Sequence, residues 1–152
     1  MDADCLIKLT KAGLKELVAH HNTVTIPQVV WAEVVVAGKV KGMPDALVVE
    51  ENVNRGVISL VQHREDTRSG DRAIVVLFDP RRFDAVATDD ARLARLLRSY
   101  GIPFVLPAMM IHRALLDGEL DLDTAKDALR RLAPFISEEE CGAVRVLMEA
   151  RS

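Results

Sequence analysis

The stretch AVATDDARLARLLRSYGIPFV, residues 85–105, decides how this chain is read. Ala85 to Ala87 form a short apolar run, and Leu93, Leu96, Leu97 and Tyr100 recur behind it at helical spacing. Thr88 to Asp90 therefore occupies a strand-to-helix turn, the place where open α/β proteins put their chemistry. One Asp there would be an ordinary N-cap, its charge suited to the positive end of the helix dipole. Two in succession need a second explanation, because only one of them can cap.

Outward from that turn, the same alternation repeats. Val24 to Ile26 reads as a strand that meets Pro27, a residue at home in a first helical turn. The following PQVVWAEVVVAG is a helix that Gly38 is expected to end, and a second helix follows Pro44 until Gly56. The strand VISLV comes next, then the helix GDRAIVVLF with Ser69 as its cap and Asp79-Pro80 as its stop. After the central turn and its helix, Gly101 breaks the chain before a short strand, FVL. Strands alternating with helices predict an α/β fold around a small parallel sheet. From about residue 107 the chain reads as helices only, and Ser137 with Glu140 forms a capping box for the last of them. We expect a single domain over residues 1–152, with a core to about 106 and a helical C-terminal extension beyond it.

The totals agree with one globular domain. The chain has 152 residues, 49% of them hydrophobic, 28% charged and only 4% aromatic, so the core must be mostly aliphatic. Apolar runs are far shorter than the roughly 20 residues of a membrane span, and no basic leader precedes Asp2 and Asp4, so a cytoplasmic location is expected. Cys5 and Cys141 match no metal-ligand spacing. A net charge of −3 excludes a general basic field, so any nucleic-acid contact must be local.

Acidic residues mark the element ends. Asp2 and Asp4 stand where a first strand should hand over to a helix; Glu33 lies between Ala32 and Val34; Asp71 sits in a first helical turn; Asp89 and Asp90 complete the set. Neighbouring carboxyl ends of a parallel sheet open onto one crevice, where these groups could converge. Two like charges about 4 Å apart repel by roughly 4 kcal/mol at an effective dielectric of 20. Convergence then requires raised pKa values or a bound cation, and an all-oxygen set favours Mg²⁺ or Mn²⁺ over zinc.

In that order, DADCLIKLTKAGL, TIPQVVWAEVV, SGDRAI and VATDDARLARLL resemble the successive motifs of PIN-domain proteins, the nuclease fold of VapC-type toxins. The tail from Leu116 to Met148 is similar to the helical end of an uncharacterised PIN-like subgroup. The resemblance implies a three-layer α/β/α fold and an Mg²⁺- or Mn²⁺-dependent endoribonuclease that uses a metal-activated water. It assigns Asp2, Glu33, Asp71 and Asp90 as catalytic metal ligands, Asp89 as a further ligand, and Asp4 and Thr88 as supporting residues. Lys8, Lys11, Arg72 and Arg92 become candidate RNA contacts, and a homodimer and a protein antitoxin become expected partners.

Two departures accompany the likeness. The family carries several apolar residues before its first Asp, where this sequence has only Met1, and Asp71 stands where relatives more often have Glu. They motivate a second reading, a degenerate PIN-like module that binds a protein partner without cleaving. A third takes DADCL as the Asp-x-Asp start of a haloacid-dehalogenase-like phosphatase, with Asp2 as nucleophile and Asp4 as acid.

Overall fold

The computed structural model describes residues 1–14, 19–20, 22–62 and 69–150. The elements run in order as α1 (Ala3–Lys11), β1 (Val24–Pro27), α2 (Gln28–Trp31), a π-helical segment (Ala32–Val36), α3 (Ala37–Val40), α4 (Pro44–Asn54) and β2 (Ile58–Val61). They continue with α5 (Gly70–Leu77), β3 (Val86–Ala87), α6 (Ala91–Ser99), β4 (Phe104–Val105), α7 (Pro107–Leu116), α8 (Leu122–Leu132), a 3-10 turn (Ala133–Phe135) and α9 (Glu138–Glu149). The mixed α/β class with small parallel sheets is the one the sequence predicts.

The strands form two parallel pairs, β1 with β2 and β3 with β4. Val24 stands opposite Ile58 in the first pair, and Val86 opposite Phe104 in the second. Met1 and Asp2 lie between the pairs: the Met1 amino group donates to the Thr25 carbonyl at 3.1 Å, and the Asp2 N–H to the Ala87 carbonyl at 3.1 Å. Two residues thus tie both sheets together. They also place Asp2 level with the end of β3.

Beneath this layer the core is aliphatic, as the composition demands. Leu93 and Leu97 of α6 are fully buried, as are Leu9 of α1, Ile26 of β1, Ile111 of α7 and Leu132 of α8. Each such side chain stabilises the fold by about 1.5–3 kcal/mol relative to exposure. Tyr100, the last residue of the helical pattern in α6, points outward at 65% exposure. Helices α7, α8 and α9 pack on one another, with Ala108, Ile111, Leu129 and Val144 joining the same core.

Local chemistry explains most boundaries. Asp2, Asp90, Asp121 and Ser137 cap α1, α6, α8 and α9 through side-chain bonds to the Cys5, Leu93, Thr124 and Glu140 N–H groups. Two expectations are corrected. Ser69 occupies the N-cap position of α5 but its hydroxyl makes no capping bond. Gly38 does not end its helix, which runs to Val40; a Cβ there would lie 2.9 Å from the Ala46 Cβ, so Gly38 lets α3 approach α4. Lys15, His21 and His63 lie outside the described residues.

Gly38→Val is therefore expected to cost about 1–3 kcal/mol in urea denaturation through overpacking. Gly142→Ala, in the interior of α9 where an added Cβ meets nothing within 4 Å, should stabilise instead, by roughly 0.5–1 kcal/mol.

Candidate active site

The central turn separates its two aspartates. Asp90 accepts the Leu93 N–H at 2.7 Å and so caps α6. Its own N–H donates to the Thr88 hydroxyl oxygen at 3.1 Å. The Thr88 hydroxyl, fully buried, donates in turn to Asp2 Oδ2. Asp89 turns the other way: its Oδ2 accepts the Lys8 ammonium at 2.6 Å, and its Oδ1 is buried with no hydrogen-bond partner. The question raised by the adjacent aspartates is thus answered in geometry, with one carboxylate capping and the other held inside.

Asp2 is also inside, 5% exposed. Its Oδ1 accepts the Cys5 N–H at 2.8 Å, so both oxygens are engaged. Burial pushes its pKa up; the bonds from Thr88 and Cys5 and the nearby ammonium of Met1 oppose that rise, and the charge of Asp89 adds to it.

A further carboxylate arrives from the C-terminal unit. Glu140 is 5% exposed, and its Oε1 accepts the Ala108 N–H at 2.8 Å, closing the N-terminus of α7. Burial raises its pKa, the Ala108 bond counters this, Asp89 adds to the rise and Lys8 lowers it. The capping box read from the sequence is therefore half formed: Ser137 accepts the Glu140 N–H at 3.1 Å, but the carboxylate reaches a different helix. The available signal was Leu106-Pro107, a helix start with no capping side chain of its own, whose N–H groups need an acceptor from elsewhere.

Lys8 stands among these acids. Its ammonium is 2.6 Å from Asp4 Oδ2 and 2.6 Å from Asp89 Oδ2. Burial works against its charge, but the bonds to Asp4 and Asp89 prevail and hold its pKa above the ordinary lysine value. Lys11 lies 3.9 Å from Asp45 and is exposed, as are Arg72 and Arg92.

Glu33 reaches another helix start, that of α5, whose first turn carries Asp71. The π-helical segment carries Glu33, and such widened turns are frequent at functional sites. A Cβ on Gly70 would lie 3.0 Å from Glu33 Oε2 and 3.4 Å from Oε1, so the absent side chain leaves room for the Glu33 carboxylate at the start of α5. Among the described residues, no group of three or more His, Cys, Asp or Glu stands ready to hold a metal ion. Carboxylates gather instead around Lys8, while Glu33 lies apart from them at the start of α5. Donor type fits a hard cation, and so does the unpartnered buried oxygen of Asp89, while Lys8 supplies the positive charge that the set has.

The family model for DUF3368, a PIN domain, matches residues 1–149. No curated protein and no solved structure gives a match.

Two measurements test this geometry. Thr88→Val strands a buried Asp2 oxygen and should cost about 1–3 kcal/mol of stability. Because Asp2 and Glu140 have raised pKa values, the folded chain keeps protons that the unfolded chain releases. Stability then falls as pH rises from the ordinary carboxylate range toward the raised values. Asp2→Asn and Glu140→Gln should each flatten that slope, read as urea midpoints at about pH 4 and about pH 7.

Proposed function

The chain belongs to the PIN-domain family, and on that premise we propose that it is a divalent-metal-dependent ribonuclease, hydrolysing RNA phosphodiesters with water as the nucleophile. The observation that carries this reading is Asp89, a carboxylate with a 9% exposed side chain, close enough to Asp2 to act on its charge, with one oxygen that no donor among the described residues reaches. Bound Mg²⁺ or Mn²⁺ would supply hydroxide from water and neutralise charge developing on the phosphate.

Asp2 and Asp89 are the residues to hold such an ion, with Asp90, Glu33 and Asp71 completing the family's acidic pattern. Thr88 fixes the Asp2 carboxylate and the Asp90 backbone in one register through its single hydroxyl. The exposed cations Lys11, Arg72 and Arg92 are the groups to meet the RNA backbone, since phosphate contacts position a nucleic acid without reading its sequence. A protein antitoxin and a second copy of the chain are the partners this reading anticipates.

One observation favours a different outcome. Lys8 already neutralises Asp89, as it would in a family member that binds a partner and no longer cleaves. The phosphatase reading has weaker support, because Asp4, its acid, is 60% exposed and paired with Lys8 while Asp2, its nucleophile, is buried.

Isothermal titration with Mn²⁺ tests the metal reading directly, and Asp89→Asn should weaken binding by roughly 10–100-fold. Asp90→Asn separates capping from chemistry, since Asn caps as well as Asp. It should keep the melting temperature and lose cleavage of a mixed RNA substrate. No Mn²⁺ binding by the wild type would leave the binding module.

A further inference from the structure

Lys8 was a candidate RNA contact on sequence grounds, yet its ammonium is engaged within the acidic set. Three features of its setting differ from an ordinary surface ion pair. Its two partners are equally near, at 2.6 Å each, but unequally placed: the Asp89 side chain is 9% exposed and that of Asp4 60%. Asp4 lies one helical turn before Lys8 on the same face of α1, so the two stay neighbours whatever happens at Asp89. Asp89 offers a second oxygen, buried and without a donor, that the ammonium does not use.

From these features we propose that Lys8 is a displaceable counter-ion: it holds Asp89 in the metal-free chain and is released onto Asp4 when a divalent cation enters. The inference rests on the metal-dependent reading above and goes beyond it, by naming the group that the cation must displace. An ammonium brings one positive charge to a set that contains Asp2, Asp4, Asp89 and Glu140. A divalent ion brings two, and can take both oxygens of Asp89. The exchange leaves no lone charge behind, because Asp4 keeps the ammonium paired at the more exposed end of the site. There Lys8 faces solvent and can meet an incoming phosphate, so one residue acts as placeholder before loading and as backbone contact after it. Metal affinity in the wild type is accordingly weakened by competition from within the chain.

The test uses the full chain and the bare ions. Lys8→Met keeps the aliphatic stem and removes the charge. It should bind Mn²⁺ more tightly than the wild type in calorimetry, by roughly fivefold, the scale of one partly exposed ion pair. Should that variant fail to fold, the wild type supplies a second readout: reductive methylation of the Lys8 amine, quantified by peptide mass spectrometry. Its rate should rise severalfold on adding Mg²⁺, and should already be high without Mg²⁺ in Asp89→Asn. An unchanged or weaker Mn²⁺ affinity in folded Lys8→Met overturns the proposal, as does methylation indifferent to Mg²⁺ in a wild type that binds the ion; in both cases the metal reading survives. Absence of Mn²⁺ binding in both wild type and Lys8→Met overturns the proposal and the metal reading together.

Discussion

The buried hydrogen bond from the Thr88 hydroxyl to the Asp2 carboxylate joins residues 86 positions apart and organises everything around it. It fastens the start of α1 to the end of β3. The same hydroxyl oxygen accepts the Asp90 N–H, so the turn into α6 is shaped by the residue that anchors α1. Backbone bonds from Met1 and Asp2 to Thr25 and Ala87 complete the junction and bring two separate pairs of strands into one layer. Without that junction Asp2 would not lie at the carboxyl end of β3, near Asp89. A Val in place of Thr88 has the same shape and no way to make either bond.

Once Asp2 is held inside, charge dictates the rest. Burial alone raises the pKa of Asp2 and of Glu140, and Asp89 adds to both. Such a set can stay ionised only with positive charge nearby. In this structure the Met1 ammonium provides it at Asp2 and Lys8 at Glu140, and the bonds of Lys8 to Asp4 and Asp89 raise its own pKa despite partial burial. The family to which the chain belongs makes a divalent ion the natural alternative supplier. Whichever cation is present, Asp89 is the carboxylate with capacity to spare.

Glu33 and Asp71 follow a separate local logic. Gly70 has no Cβ, and the carboxylate of Glu33 uses that space at the start of α5. A π-helical turn carries Glu33 there, inside a helix that the sequence pattern read as regular. Glycine acts similarly at Gly38, where contact between α3 and α4 overrides its tendency to stop a helix. In both places the residue was visible in the sequence, but its purpose depended on a neighbour in another helix, Ala46 for Gly38 and Glu33 for Gly70.

Taken alone, the sequence determined what short-range physics controls. Apolar periodicity gave the strands and helices, the Thr88–Asp90 turn and Ser137 gave the starts of α6 and α9, and four ordered motifs pointed to the family that the match over residues 1–149 establishes. Tertiary structure alone decided which acid faces where. A turn containing two aspartates does not reveal that Asp90 caps while Asp89 is buried, because the choice is made by Lys8 on another helix. A capping box does not reveal that Glu140 caps α7 instead, because the uncapped N–H groups it answers lie 32 residues away. Local patterns report bonds within a few residues of one another; the direction of a buried charge is set by its partners across the fold.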